Sequence, residues 1–229
     1  METVTLATAL PLVIADRFDL ERIAGKGGMG AVWRATDRAS GQVVAVKLMT
    51  GDAHARFVRE AQVLAELVHP RIVRYIAHGE ADDVPYLAME WLEGMDLGKR
   101  LRIGLLDIDE AVAVVRYTAE ALTIAHAAGI VHRDIKPNNL FLVDGEIAGL
   151  KVLDFGIART LDVAQTRAMT RTGMVIGTPG YMAPEQARGD RDLDVRADVF
   201  ALGCVLYEAV TGRAPFVGAG FGLLAKVLF

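Results

Sequence analysis

The hydrophobic pattern of this 229-residue chain changes once, near residue 92, and that change constrains the fold more than any other feature. Before it, short apolar runs rich in β-branched residues alternate with glycine-containing turns, a pattern typical of strands. After Gly94, apolar residues recur at helical intervals, and Gly129 is a natural end for the first long helix. The sequence therefore predicts a small β-rich lobe followed by a larger α-rich lobe.

The first lobe is expected to combine strands with one helix. The strands are predicted over residues 18–24, 30–37, 41–49, 72–79 and 85–92. The helix is predicted over residues 54–69, with a buried stripe of Phe57, Ala61, Leu64 and Val68. Residues 5–15 are apolar but lack the positively charged start of a signal peptide, so we interpret them as an entry strand or a loose tail.

Long helices and one long loop dominate the second lobe. In the helix predicted over residues 109–129, the buried stripe is expected at Val112, Val115, Ala119 and Leu122. Residues 198–212 are apolar on nearly every side, which predicts a helix buried through the middle of the lobe. Residues 157–185 show no sustained periodicity, and an irregular loop of that length in a compact domain is usually functional.

Composition excludes several classes of protein. With 52% apolar and 24% charged residues, the chain is a folding sequence and not a disordered tail. A net charge of −4 argues against a nucleic-acid-coating protein. The single cysteine, Cys204, lies in an apolar run, which fits a buried, inert thiol and a reducing compartment. No apolar run approaches the length needed to span a bilayer.

A polar stretch between two apolar, strand-like segments is the strongest functional signal. It begins after Val131, ends before Leu140, and contains His132, Arg133, Asp134, Lys136 and Asn139. Polar groups held against a core need partners or a ligand. Asp154 follows the next strand, and although a lone carboxylate there is usually a turn former, beside Asn139 it offers the oxygen ligands that Mg²⁺ prefers.

A glycine-rich segment lies between the first two strands. Gly25, Gly27 and Gly30 have the G-x-G-x-x-G spacing, which is a weak signal alone. A dinucleotide-binding fold would need the motif to open a helix, whereas strand-like residues follow here. Such a loop between two strands can close over phosphates with its backbone N–H groups.

A lysine and a glutamate in the first lobe form a candidate buried pair. Lys47 interrupts an apolar strand, and Glu60 lies on the inward face of the predicted helix. A carboxylate on that face needs a cation, for which Lys47 is the obvious choice. The alternatives are a lysine that extends to solvent from a strand end and a weak surface salt bridge from Glu60 to Arg56 or Arg59.

Taken in order, these features resemble the protein kinase signature. The matching residues are Gly25, Gly27, Gly30, Ala45, Val46, Lys47, Glu60, His132, Arg133, Asp134, Lys136, Asn139, Asp154, Phe155, Gly156, Ala183, Pro184, Glu185 and Asp198. The match runs from about Phe18 to the end of the chain. The stretches "GKGGMGAVWRA" and "GTPGYMAPEQARGD" are similar to those of bacterial, eukaryotic-like serine/threonine kinases.

The resemblance implies an α+β, two-lobed protein kinase-like fold. Residues 1–17 would be an extension, residues 18–92 an N-lobe with an antiparallel sheet and one key helix, and residues 93–229 a mainly helical C-lobe. Because the family normally continues with further helices, the C-lobe is expected to lack its last helices. Apolar surface should then be exposed around Val199–Val210 and Leu223–Phe229, at a cost in stability.

For nucleotide binding, the resemblance implies a flap over the ATP phosphates made by Ile23, Gly25, Lys26, Gly27, Gly28 and Gly30. Lys47, held by Glu60, would contact the α- and β-phosphates. Met89 would be the gatekeeper, and Glu90 and Leu92 would offer backbone groups to adenine. The residues expected to sandwich the ring are Val32, Ala45 and Phe141.

For phosphoryl transfer, the resemblance implies that Asn139 and Asp154 hold Mg²⁺, with Mn²⁺ as a substitute. Asp134 would be the catalytic base, Lys136 would steady the transferred group, and Thr178 would hydrogen-bond both. Pro137 after Lys136, with "GTPGYMAPE", is typical of the branch that phosphorylates serine and threonine hydroxyls of proteins. The expected location is the cytoplasm, alone or as part of a longer membrane-anchored protein.

Regulation by phosphorylation is also expected from the resemblance. Thr170 and Thr172 lie where related kinases are phosphorylated, and Arg133 and Arg159 could bind a phosphate there. Autophosphorylation between two chains of a homodimer would then switch the enzyme on. The alternative is an incidentally threonine-containing loop.

Two other functional classes remain open. One is an ATP-binding pseudokinase or scaffold whose activity is lost through truncation. The other is a small-molecule phosphotransferase, which would not need "GTPGYMAPE" or two loop threonines. Neither a nucleic acid nor a membrane segment is expected among the partners.

Overall fold

The computed structural model describes residues 13–27, 30–49, 65–155, 179–190, 192–218 and 220–229. Most of the helix predicted over residues 54–69 lies outside these ranges. At its end Leu67 is buried, but Val68 is 82% exposed, so the inclusion of Val68 in the buried stripe is wrong. Among the described helices, none is long and apolar enough to cross a membrane.

Six antiparallel strands form the sheet of the first lobe, in the order β1-β2-β3-β4-β6-β5. They are β1 Val13–Ile14, β2 Phe18–Gly27, β3 Gly30–Asp37, β4 Val43–Met49, β5 Tyr75–Ala81 and β6 Val84–Glu90. All five predicted strands are present. β5 begins three residues later than predicted because Arg71 and Val73 form backbone hydrogen bonds with Val152 in the second lobe instead.

Alternation along β4 gives the sheet two faces. Val44, Val46 and Leu48 pack with Phe18 and Tyr86 in a core that belongs to the first lobe alone. The residues between them, Ala45, Lys47 and Met49, point to the other face, where Ala45 and Met49 join the larger core shared with the second lobe. The sheet thus presents Lys47 toward the junction of the two lobes.

The second lobe combines a small sheet with several helices. The strands β7 Gly94–Asp96, β8 Leu140–Val143 and β9 Leu150–Val152 lie side by side and antiparallel. The helices are α1 Leu97–Ile103, α2 Ile108–Ala127, α3 Pro184–Arg188, α4 Arg196–Thr211 and α5 Gly220–Leu228. This arrangement confirms the predicted two-lobed α+β architecture.

The buried face of α2 differs from the predicted stripe. The helix begins with a capping box between Asp107 and Glu110. Its buried residues are Ala111, Val114, Thr118, Ala121, Leu122 and Ala125, whereas Val112 is 55% exposed. The prediction is therefore wrong at Val112 and right at Leu122, and the small side chains on the buried face allow α2 to pack closely on α4.

The last two helices partly match the expected exposure. On α4 the predicted exposed surface is confirmed at Val199, Leu206, Tyr207 and Val210, so the expectation of burial on nearly every side is wrong. On α5 the expectation of exposure fails for Leu223 and Val227, which are buried because α5 packs on α3 and on Pro179–Tyr181. Cys204 is buried as predicted, and burial raises the pKa of its thiol to about 11.

Candidate active site

A fully buried carboxylate on α4 holds the polar stretch that follows Ile130. Asp198 Oδ1 accepts a hydrogen bond from the backbone N–H of Arg133 at 2.7 Å, and Oδ2 accepts one from the N–H of His132 at 2.8 Å. Oδ2 also contacts Nε2 of His126, near the end of α2, at 2.7 Å. These bonds fix a turn in which Arg133 has a φ of 65°, a conformation rare outside glycine.

His132 connects this loop to the end of β9. Its ring lies within 2.9 Å of the Leu153 carbonyl through Nε2, and its Nδ1 accepts a hydrogen bond from the Asp134 N–H at 3.2 Å. The ring packs on Phe155 with centroids 4.7 Å apart. Burial lowers the pKa of His132, so the ring is neutral at pH 7 and Nε2 carries the proton that Leu153 accepts.

Asp134 is held by two neighbours from its own loop. Lys136 Nζ donates to Oδ2 at 2.7 Å, and Asn139 Nδ2 donates to the same oxygen at 3.0 Å and to the Asp134 carbonyl at 2.7 Å. Oδ1 is then the carboxylate oxygen that can accept a proton from an incoming group. The side-chain nitrogen of Asn139 donates both of its hydrogen bonds to Asp134. The side-chain oxygen, Oδ1, is therefore the Asn139 atom that is suited to binding a cation.

Asp154 lies next to this loop and joins the two lobes. The Leu153 N–H donates to the Asn139 carbonyl at 2.9 Å, which sets Asp154 beside Asn139. Lys47 Nζ donates to Asp154 Oδ1 at 2.7 Å across the cleft. Desolvation disfavours the charged carboxylate, but the charge and hydrogen bond of Lys47 outweigh it, so the pKa of Asp154 is lowered. With 40% of its side chain accessible, Asp154 can still bind a ligand.

The donor set fits a magnesium ion that is shared with phosphates. Among the described residues, no group of three or more His, Cys, Asp or Glu side chains could hold a metal without help. Asn139 and Asp154 supply two oxygen ligands, which suits Mg²⁺ because this ion usually binds one or two protein carboxylates and completes its shell with phosphates and water. The chemistry of these residues therefore matches a metal–nucleotide complex.

The residues expected around the nucleotide lie on the cleft-facing side of the first lobe. Val32 is paired with Lys47, and Ala45 with Met89, in adjacent strands. Directly paired residues point to the same face, so these four side chains line one wall. Phe141, on β8 of the second lobe, is half-buried, as is Leu92 after β6.

The flap is the hairpin formed by β2 and β3, whose described part includes Ile23, Gly25, Lys26, Gly27 and Gly30. Gly30 has a φ of 133°, and a Cβ there would collide with the carbonyl of Leu48, so only glycine fits. A Cβ at Gly25 or Gly27 would meet no atom of the described residues within 4 Å. The role of these two glycines at the phosphates stays a prediction.

Several expected residues lie outside the described part of the chain. They are Gly28, Glu60, Arg159, Thr170, Thr172 and Thr178. The pairing of Lys47 with Glu60 and the phosphorylation switch therefore stay predictions. Arg133 is described, and its carbonyl accepts a hydrogen bond from Gln186 Nε2 of α3 at 2.9 Å.

Sequence reasoning missed three groups that support the site. His126 of α2 contacts the Asp198 carboxylate, and Gln186 of α3 donates to the Arg133 carbonyl of the polar loop, although each looks like an ordinary helical residue in the sequence. Glu90 was expected to act through its backbone alone, but its carboxylate binds Lys151 at 2.7 Å. The sequence did contain an indication of this contact, because Lys151, like Lys47, is a lone cation in an otherwise apolar strand.

Comparison with known proteins agrees with this geometry. The model of the protein kinase domain matches residues 18–221. A probable serine/threonine-protein kinase of Corynebacterium efficiens is 46% identical over 220 residues, which cover 91% of this chain and 33% of the relative. The serine/threonine-protein kinase PknB of Mycobacterium leprae is 42% identical over 219 residues, covering 91% and 34%. The chain thus spans about a third of the length of these relatives.

Solved structures share the fold. Rad53 in complex with AMP-PNP superposes with a TM-score of 0.75 at 30% identity, over 92% of this chain and 52% of that one. The PknI kinase domain of Mycobacterium tuberculosis superposes with a TM-score of 0.73 at 29% identity, over 90% and 78%. The chain therefore belongs to the protein kinase family, and its curated relatives are bacterial serine/threonine-protein kinases.

Proposed function

We propose that this chain transfers the γ-phosphate of ATP to serine and threonine hydroxyls of proteins. One observation carries the proposal: an unbroken series of contacts runs from Asp134 through Asn139 and Leu153 to Asp154, and across the cleft to Lys47. A base, an amide oxygen, a second carboxylate and a cation are thereby brought to one place, as transfer of a phosphoryl group requires.

Asp134 is the proposed base. Its Oδ2 is occupied by Lys136 and Asn139, so the hydroxyl of the substrate would donate its proton to Oδ1. The two hydrogen bonds orient the carboxylate before the substrate arrives, which is the main contribution a protein makes to this reaction. Lys136, which is only 18% exposed, also supplies positive charge where the transferred group gains negative charge.

Lys47, Asn139 and Asp154 are the proposed residues that hold the nucleotide and its metal. Mg²⁺, when bound, would neutralise the phosphate oxygens during transfer. Asn139 and Asp154 would be its protein ligands, while Lys47 would exchange its bond to Asp154 for contacts with phosphate oxygens. The flap from Ile23 to Gly30 would cover the phosphates, with Gly25 and Gly27 allowing the backbone to approach.

A transfer assay with analysis of the phosphorylated amino acid tests the proposal. The chain is incubated with Mg²⁺, γ-labelled ATP and a general protein substrate such as casein, and the product is hydrolysed to separate phosphoserine, phosphothreonine and phosphotyrosine. We expect label in phosphoserine or phosphothreonine. Label only in phosphotyrosine would contradict the acceptor class, and protein label absent under all conditions would favour the pseudokinase alternative.

We further propose that Thr170 or Thr172 is phosphorylated by a second copy of the chain and that Arg133 and Arg159 bind the phosphate. The backbone of Arg133 is fixed on both sides, by Asp198 and by Gln186, so its side chain leaves the loop from a defined position. A Thr170→Ala, Thr172→Ala double variant should lose the activation that preincubation with ATP produces, and unchanged turnover would rule the switch out.

A further inference from the structure

The carboxylate of Glu90 lies at a junction of three elements that the proposed function does not account for. Oε1 accepts a hydrogen bond from Lys151 Nζ at 2.7 Å and from the Arg74 N–H at 2.8 Å. The Glu90 N–H in turn donates to the Arg74 carbonyl at 2.9 Å. The end of β6 is therefore tied both to the segment that leads into β5 and to β9 of the second lobe.

Lys151 occupies a position from which it can affect the nucleotide pocket. It is paired with Phe141 across β8 and β9, so the two side chains point to the same face of the small sheet. Their neighbours Leu140, Leu142, Leu150 and Val152 are fully buried on the other face. Lys151 also precedes Asp154 by three residues on the segment that delivers this carboxylate to the cleft.

The Glu90–Lys151 pair differs from the other ion pairs that join the lobes. Within the described ranges, residues 13–92 and 93–229 are linked by Lys47 with Asp154, by Lys151 with Glu90, and by Arg71 with Glu120 at 3.8 Å. The first pair must rearrange when phosphates and metal arrive, and the last is long. The pair between Glu90 and Lys151, each only 20% exposed, can persist through binding and release.

We infer that Glu90 and Lys151 are positioning residues for nucleotide binding, an inference that rests on the proposed function. Their ion pair holds the end of β6, whose backbone would contact adenine, at a fixed distance from Phe141, which would form the floor under the ring. It also fixes β9, and with it the start of the segment that carries Asp154. Neither side chain touches the nucleotide. Together they keep the end of β6 and the small sheet that carries Phe141 in a fixed relative position.

Calorimetric titration with AMP-PNP and Mg²⁺ tests this inference without relying on turnover. Glu90→Gln keeps an oxygen for the Arg74 N–H but removes the charge, and Lys151→Met removes the cation but keeps much of the apolar stem. We expect each single variant to bind about fivefold more weakly, a typical coupling for a partly buried ion pair. The double variant should bind no more weakly than the weaker single one, because the two residues act through one contact.

A conservative variant and a control variant distinguish a positioning role of the ion pair from general destabilisation of the fold. Lys151→Arg should restore affinity to within about twofold, since the guanidinium can bind the same carboxylate. Asp19→Asn, which breaks the pair with Arg38 at 2.6 Å inside the first lobe, should leave affinity unchanged. In the transfer assay, the KM for ATP should rise while kcat at saturating ATP changes less than about twofold.

The possible outcomes are distinct. If the wild-type chain does not bind AMP-PNP, the proposed function fails and this inference with it. If the wild type binds but both single variants bind equally well, or if their effects simply add, the positioning role alone is overturned. Should Lys151→Met melt at a clearly lower temperature, Lys151→Gln replaces it, and the same comparison applies.

Discussion

Two carboxylates of the site are held in opposite ways, and the contrast explains how the protein can be both fixed and responsive. Asp198 is completely buried and binds two backbone N–H groups and His126, all within the second lobe. Asp154 is open to the cleft and is bound by one lysine from the other lobe. Asp198 therefore has a structural role, whereas Asp154 can exchange its lysine partner for a ligand.

The difference follows from desolvation. A buried acceptor that binds several donors is costly to disturb, because each donor would be left without a partner. An ion pair with one accessible charge, such as that of Asp154, contributes less to stability, because water competes for the accessible group. We therefore expect a substitution at Asp198 to lower the stability of the fold, and a substitution at Asp154 or its partner Lys47 to lower activity more than stability.

The largest effect is expected at Asp198. Asp198→Ala leaves two backbone N–H groups without their acceptor and should lower the free energy of unfolding by about 3 kcal/mol, with loss of transfer. Chemical denaturation measures the change. Asp194→Ala is the matched control, since the exposed carboxylate of Asp194 binds, among the described residues, the guanidinium and the backbone N–H of Arg196 at the start of α4. Equal destabilisation by the two substitutions would contradict a special structural role for the buried carboxylate of Asp198.

The second effect should be large on activity and small on stability. Lys47→Met removes the ion pair with Asp154 and the cation proposed for the phosphates, so transfer should fall by about a hundredfold or more. Because Asp154 is 40% exposed, although Lys47 is only 12% exposed, the free energy of unfolding should change by about 1 kcal/mol, less than for Asp198→Ala. Lys99→Met, which removes an exposed lysine paired with the buried Asp96, serves as the control. A fall in stability comparable to that of Asp198→Ala would contradict the comparison.

A smaller effect concerns the first lobe, where Asp37 is buried and bound by Arg17 at 2.8 and 2.9 Å. The Arg17 guanidinium lowers the pKa of Asp37. Arg17→Ala should cost about 1–2 kcal/mol of stability, reduced from the value for a buried pair because Arg17 is 37% exposed. Arg38→Ala, which breaks a fully accessible pair with Asp19, should cost much less in the same thermal melts.

The smallest effect concerns pH. Because burial lowers the pKa of His132 in the folded state, the stabilising contribution of the neutral ring is complete above its unfolded pKa and is lost as pH falls. As pH falls below about 6.5, the free energy of unfolding should decrease, with a slope from this group of no more than about 1.4 kcal/mol per pH unit. His132→Phe should flatten this part of the curve of unfolding free energy against pH. An unchanged slope would mean that other groups cause the acid sensitivity.

The sequence predicted elements and local motifs well because both depend on neighbouring residues. The β2–β3 hairpin with Gly30 at its turn, and the polar loop from His132 to Asn139, are local patterns with a clear physical requirement. The predicted stripe of α2 was right at Leu122 but wrong at Val112, because hydrophobic periodicity favours Val112 over Ala111, whereas the helix buries small residues that allow close packing.

Long-range polar contacts could not be predicted in the same way. His126 meets Asp198 across 72 positions, and Lys151 meets Glu90 across 61. Each side chain is polar and could equally face solvent, so nothing in its local sequence specifies the partner. These contacts follow from the packing of whole elements, which a local pattern does not contain.

The central claim, that Asp134 is the base in a cleft that binds Mg²⁺-ATP, is tested most directly by the transfer rate of Asp134→Asn at saturating Mg²⁺-ATP. The substitution keeps the shape of the side chain, and AMP-PNP binding should remain within about threefold of the wild type because Asp134 makes no proposed contact with the nucleotide. We predict a transfer rate at least about a hundredfold lower, the usual contribution of a positioned base. A variant that transfers phosphate at the wild-type rate would contradict the account.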